Sequence, residues 1–212
     1  MTTTRVTRWW WIRHAPVTVA NGRLYGQRDL PADTSQPDTF HALATVLPTS
    51  AIWITTPLRR THQTADAIAD AGHAVPDRLI EDAFIEQHFG DWQGLSWDEL
   101  HAAKGDAYHK FWVAPAHQAP PGGESFQDVI DRVGPAVDRL TEAHGGGNIV
   151  VVAHGGSIRA AIAHALDLKP DKALAIMIDN CALTCIEHID GPGEGGAWRV
   201  TAINNRPGHG SV

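Results

Sequence analysis

Trp9-Trp10-Trp11-Ile12-Arg13-His14-Ala15-Pro16-Val17 is the stretch on which the fold turns: four large apolar residues run straight into a cation, an imidazole and a proline. A continuous apolar run reads as a strand buried on both faces, the pattern of a parallel sheet. Pro16 ends the ladder because it has no backbone N–H to donate. Arg13 and His14 therefore stand where a buried strand stops. In open α/β sheets ligands bind beyond the carboxyl ends of the strands, so a polar pair at that point is presented to a crevice.

Two further runs, Ala51-Ile52-Trp53-Ile54 and Ile149-Val150-Val151-Val152-Ala153, repeat the pattern. Apolar residues recur at helical spacing over Asp38–Leu47, Leu58–Ala71, Gln127–His144 and Ile158–Leu166. This alternation predicts a three-layer α/β/α sandwich with a mostly parallel central sheet and helices on both faces. Ala173–Ile178, Leu183–Ile189 and Trp198–Ile203 read as further strands, the last two joined in a hairpin by the glycine-rich stretch 191–196. Residues 84–124 read as a small insertion over one end of the sheet, and 204–212 as a frayed tail. The 212 residues are expected to form a single domain.

Seventeen basic residues against 24 acidic ones give a net charge of −7, with no basic footprint for nucleic acid. The first twelve residues are too short and too interrupted by Arg5 and Arg8 for a signal peptide, and no apolar stretch approaches the roughly 20 residues of a membrane helix. A cytoplasmic, soluble protein is expected. Cys181 and Cys185, four apart in a segment that reads as strand, are too far apart for a disulfide and are expected as free core thiols.

The other strand ends carry matching chemistry. The third run delivers His154, followed by Gly155-Gly156 and a helix; the second ends at Thr55-Thr56-Pro57, before a helix with Arg59 and Arg60 in its first turn. Two histidines and two arginines beside helix N-termini suit a dianion such as phosphate. A neutral imidazole can attack phosphorus and form a phosphohistidine. That chemistry needs an acid for the leaving alkoxide, and Glu86, among Phe84, Phe89 and Trp92, is the candidate, with Glu81 and Asp82 as rivals on composition alone. Thirteen histidines invite a metal reading, but no HExxH or Cys/His cluster at ligand spacing occurs, so no metal is expected. "HGGS" at 154–157 lacks the second glycine of a nucleophile elbow, which excludes a serine hydrolase.

Five motifs in order resemble the histidine phosphatase superfamily, also called phosphoglycerate mutase-like: RHAP at 13–16, TTPLRRTHQTA at 55–65, EQHFGDWQG at 86–94, PGGES at 121–125 and VVAHGGSIRA at 151–160. The resemblance spans residues 9–203. It implies His14 as the phosphorylated nucleophile, Arg13 and Arg60 as phosphate clamps, Glu86 as proton donor and His154 as the stabilising imidazole. Gly155 would complete the phosphate cradle through its backbone N–H, and Asn21 matches the family's asparagine after the first motif. Ala15-Pro16 replaces the commoner Gly-Glu, and Thr55-Thr56 the usual serine pair.

The loop GRLYGQRDLP at 22–31 is similar to that of α-ribazole phosphatases, which brings Tyr25, Gly26 and Gln27 to the substrate side. The implied activity is a metal-independent phosphomonoesterase without cofactor, acting on a small phosphate ester such as α-ribazole 5′-phosphate, as a monomer or homodimer. The alternatives are a mutase-type phosphotransferase and a catalytically silent phosphate-binding domain. Mutases carry an arginine pair in the insertion, where residues 95–120 offer only Lys104 and Lys110.

Overall fold

The computed structural model describes residues 4–104, 116–191 and 197–208. Lys110 and the centre of the expected hairpin loop lie outside these. The opening stretch forms β1 (Arg5–Arg13), and its neighbours are what the apolar runs require. It pairs in parallel with β4 (Asn148–Ala153), which pairs in parallel with β2 (Ile52–Thr55) and through it with β3 (Arg78–Ile80). On its other edge β1 pairs antiparallel with β5 (Leu183–Asp190), and β5 with β6 (Trp198–Asn205). The order β3-β2-β4-β1-β5-β6 makes one mixed, mostly parallel sheet.

Strand alternation splits the core in two. Trp9 and Trp11 join Ile149, Val151 and Ile54 on one face, under α4 (Phe126–Ala143) and α5 (Gly155–Leu166). Ile12, Val150, Val152 and Trp53 occupy the other face, under α1 (Pro37–Val46) and α2 (Arg59–Asp70). The helices begin where the chemistry favours it: Pro37 stands in the first turn of α1, and Ser125 and Asp128 form a reciprocal capping box at the start of α4. The sandwich expected from the sequence is thus observed, with helices on both faces.

The insertion adds a third, smaller core of Leu24, Phe89, Trp92 and Leu100, the last on α3 (Trp97–Lys104). Phe84 ties it to the sheet. Its ring packs edge-on to Trp11 at 4.9 Å and Trp9 at 6.2 Å between centroids, while the two indoles stack on each other at 5.4 Å.

Three expectations need correction, and one strand went unread. Ala173–Ile178 is not a strand: Pro170 and Asp171 start a short helix, α6 (Pro170–Leu174). The carbonyls of Ile176 and Ile178 are then taken by Arg159 and Arg13 rather than by a ladder. Cys181 precedes β5 in the left-handed region at φ +58°, so only Cys185 lies in the strand. Both thiols are free, and burial pushes each up to about 12. The strand β3, with only three residues, carries too little pattern to read from sequence. β6 runs on to Asn205, into what reads as tail.

Candidate active site

Register brings the two histidines together. Arg13 lies opposite Ala153 in the β1–β4 ladder, so His14 and His154 leave neighbouring parallel strands at the same level. Their ring centroids are 5.2 Å apart, and both side chains are fully buried.

The backbone around His14 is clamped on all sides. The His14 N–H donates to Ala153 O at 2.9 Å, Asn180 Nδ2 donates to His14 O at 2.7 Å, and the Ala15 N–H donates to Thr64 Oγ1 at 2.9 Å. Cys181 N–H donates to Arg13 O at 2.8 Å. The imidazole Nδ1 donates to Ala15 O at 2.6 Å, and since a carbonyl only accepts, the proton is on Nδ1. Nε2 then carries the lone pair, and this buried atom has no hydrogen-bond partner among the described residues. Burial, with the charges of Arg60 and Arg13, holds His14 well below the usual imidazole value, so the ring is neutral near pH 7.

His154 has the opposite tautomer. Its Nδ1 accepts from Arg60 Nε at 3.3 Å, which leaves Nε2–H to donate to Thr56 Oγ1 at 2.9 Å. Burial first, then Arg60, depresses its basicity as well.

Arg60 is fully buried and spreads its donors, Nη2 to Gly26 O at 2.7 Å and Nη1 to Arg28 O at 2.9 Å. Its Cζ lies 5.1 Å from the centre of the Tyr25 ring, a cation–π contact, and Tyr25 stands edge-on to His14. Arg59, by contrast, is turned to the surface and bound to Asp29. Arg13 gives Nη1 to Ile178 O at 2.6 Å, while its buried Nε has no partner among the described residues.

Glu86 enters from the insertion. Its Oε1 accepts from Gly156 N–H at 3.0 Å and Gln87 N–H at 2.9 Å. This approach needs Gly156 to be glycine, since a Cβ there would stand 2.3 Å from Oε1. Gln27 reaches the same loop, donating from Nε2 to Glu86 O at 2.8 Å. Gly26 is held at φ +45° with no room for a side chain, since a Cβ would meet Gln93 Oε1 at 2.3 Å. Gly155 is the first residue of α5, where N–H groups lack intrahelical partners.

Members of the histidine phosphatase superfamily (branch 1) match this chain over residues 9–206. The chain belongs to that superfamily. A glucosyl-3-phosphoglycerate phosphatase of Mycolicibacterium vanbaalenii is 34% identical over 218 residues, covering 94% of this chain and 95% of its own. A bifunctional protein of Mycobacterium tuberculosis is 32% identical over 134 residues, 63% of this chain but 36% of its own, so this chain spans about a third of that relative. In structure, a mycobacterial hydrolase superposes with a TM-score of 0.84 at 29% identity over 98% of this chain and 94% of its own.

On this histidine phosphatase scaffold, His14, Arg13, Arg60, His154, Glu86, Tyr25, Gly26, Gln27 and Gly155 stand in one neighbourhood, joined by the contacts just described. Asn21 does not join them: it is exposed at φ +53°, closing the turn Thr18–Ala20, and no hydrogen bond links it to the cluster. Glu81 and Asp82, the rival acids, are placed elsewhere. Glu81 caps the turn Asp82–Phe84 and pairs with Arg139, and Asp82 lies within that turn.

Sequence reasoning missed Thr56, Thr64 and Asn180, whose partners are backbone or imidazole atoms reached only through the fold. It also missed Arg159, four residues beyond Gly155. The Arg159 Nε donates to Ile176 O at 2.6 Å, and its Nη1 would be 3.3 Å from a Cβ on Gly155. Among the described residues no group of three His, Cys, Asp or Glu side chains is placed to hold a metal, and no helix is long and apolar enough to cross a membrane.

Proposed function

We propose that the protein is a phosphomonoesterase that works through a phosphohistidine at His14. The observation that carries this reading is the buried, unpartnered Nε2 lone pair beside two guanidinium groups, those of Arg60 and Arg13. A neutral imidazole fixed in one tautomer is a competent nucleophile, and fixed cations neutralise the charge of the phosphoryl group in transfer.

In the first step His14 Nε2 attacks phosphorus, the N–P bond forms and the ester P–O bond breaks. Glu86, in its acid form, gives a proton to the leaving alkoxide. Its Oε2 has no hydrogen bond among the described residues and is the oxygen assigned to this transfer. In the second step water attacks phosphorus, Glu86 takes the proton, the N–P bond breaks and inorganic phosphate leaves. Arg13, Arg60 and the Gly155 N–H hold the phosphate oxygens, and His154 stabilises them from a ring fixed by Arg60 and Thr56. No step uses a metal or cofactor.

The substrate is a small phosphorylated metabolite. The 22–31 loop supports α-ribazole 5′-phosphate; the relative named a glucosyl-3-phosphoglycerate phosphatase, aligned over nearly both chains, supports an ester of glyceric acid and is the stronger support.

The test is phosphate release, with EDTA present, from α-ribazole 5′-phosphate, glucosyl-3-phosphoglycerate, 3-phosphoglycerate and p-nitrophenyl phosphate, beside His14→Ala. Turnover that needs His14 and leaves an acid-labile phosphoenzyme on rapid quenching is expected. Phosphate binding without release from any ester sinks the reading and leaves a silent binding domain; transfer between esters in place of release marks a mutase.

A further inference from the structure

Among the described residues the Glu86 side chain hydrogen-bonds only to backbone N–H groups, so its aim depends on how the main chain at 83–88 is held. The structure holds that chain from α4. Arg132 Nη1 donates to Ala83 O at 2.6 Å, inside the turn Asp82–Phe84 that leads into the acid, and Nη2 to Glu86 O at 3.1 Å, at the acid itself. The same guanidinium forks onto Glu124, Nε to Oε1 at 2.8 Å and Nη2 to Oε2 at 3.1 Å, with both side chains three-quarters or more buried.

Glu124 in turn grips the residues after Glu86. Its Oε2 accepts from His88 N–H at 2.8 Å, its carbonyl accepts from Gln87 Nε2 at 2.7 Å, and its own N–H donates to His88 O at 2.8 Å. One bidentate pair thus fixes the loop on both sides of the acid. It does so from α4 and the residue before its cap, and α4 packs against α5, whose Gly156 N–H donates to the carboxylate.

We infer that Arg132, oriented by Glu124, is the positioning residue for proton donation by Glu86. Arg132 touches neither substrate nor His14. It sets the distance from Glu86 Oε2 to the leaving oxygen, and its effect should scale with how much the leaving group needs a proton. Lysine cannot replace it: an ammonium is a point donor, while this position needs a planar fork serving two carbonyls and a carboxylate.

The inference rests on the general-acid role of Glu86, so the experiment carries its own reference. The kcat/KM of wild type, Glu86→Gln, Arg132→Lys and Glu124→Gln is measured on an alkyl phosphate and on p-nitrophenyl phosphate. Its phenolate leaves without a proton. General acid catalysis is typically worth about 10²–10⁴ in rate. Glu86→Gln should therefore fall by that much on the alkyl ester and by only a few-fold on the aryl one. Arg132→Lys is expected to fall at least 10-fold on the alkyl ester and under about 3-fold on the aryl ester, with KM for both nearly unchanged, a kcat effect of the kind expected when transition-state contacts are lost.

Glu124→Gln keeps one acceptor and should show the same selectivity to a lesser degree. The Arg132→Lys/Glu124→Gln double variant should lose less than the product of the two single losses, because they act through one fork. Equal losses on both esters, or none on either, would overturn the inference while Glu86→Gln stays selective. If Glu86→Gln itself is unselective, the acid assignment fails and the inference that rests on it falls with it. Should Arg132→Lys not fold, the selectivity of Glu124→Gln decides alone.

Discussion

His14 and His154, 5.2 Å apart, hold their protons on opposite nitrogens: His14 on Nδ1, facing the Ala15 carbonyl, and His154 on Nε2, facing the Thr56 hydroxyl. Neither choice is left to the imidazole. A carbonyl that can only accept fixes one, and an arginine that can only donate fixes the other. A buried site thereby keeps a lone pair exposed on one ring without a carboxylate to orient it.

Both rings should remain neutral through pH 6.5, the value at which an ordinary imidazole is half protonated, because burial and the neighbouring guanidiniums depress both. Ring ¹⁵N shifts followed from pH 8 to 5 check this. A titration of either ring centred at or above 6.5 contradicts it.

The same depression makes stability pH-dependent, and the sign follows from proton counts. The unfolded histidines bind protons as pH falls below about 6.5, while the folded ones do not. Stability is therefore full above that pH and is lost on acidification toward the folded values, with a limiting slope of about 1.4 kcal/mol per pH unit for each histidine. Urea unfolding at pH 7.5 and 5.5 should show the decline, and His154→Gln should reduce its slope.

Gly156→Ala separates the site from the fold. Gly156 is the second residue of α5 and its φ is not in the left-handed region, so alanine suits its backbone and thermal stability should not suffer. Its Cβ would press on Glu86 Oε1, so turnover of an alkyl phosphate should drop at least 10-fold, with far less loss on p-nitrophenyl phosphate. A folded Gly156→Ala variant with unchanged alkyl turnover would show that Glu86 is aimed without Gly156.

Thr56→Val removes the acceptor of a buried N–H. The orphaned His154 Nε2–H should cost about 1–3 kcal/mol of stability and loosen the ring. Denaturant unfolding reads the first, and a fall in kcat on both esters alike, unlike the Glu86 and Arg132 variants, reads the second.

Trp11→Ala should be the most damaging core change. Trp11 is 1% exposed and touches both Trp9 and Phe84, and removal of such an aromatic costs about 3–5 kcal/mol. Because Phe84 lies two residues before Glu86, surviving protein should also lose selectivity for alkyl esters, measured as the alkyl-to-aryl rate ratio.

Much of this was legible in the sequence. Apolar runs ending in Arg13-His14 and in His154 gave the strands, the sheet class and the crevice, because burial on both faces leaves an unambiguous pattern. Arg60 was separable from Arg59 only through the motif, and the structure supplies the reason: one faces His154, the other Asp29. What was hidden depends on distance in sequence. Arg132 serves Glu86 from another helix and Glu124 from just before it, and Asn180 serves His14 through a backbone carbonyl, a contact no side-chain pattern announces. The segment Ala173–Ile178 misled because a helix begun at Pro170 takes in its first residues, and the carbonyls of Ile176 and Ile178 beyond it are claimed by arginines.

The parallel pairing of β1 with β4 has a bearing on how the molecule comes into being. The whole of α1–α4 lies between β1 and its parallel partner β4, so no partial chain lacking β4 can assemble both imidazoles. Closing so long a loop is slow and belongs late in folding. Recovery of phosphatase turnover after dilution from denaturant should therefore trail the recovery of helical circular dichroism, which makes the reaction itself a clock for the last long-range closure of the sheet.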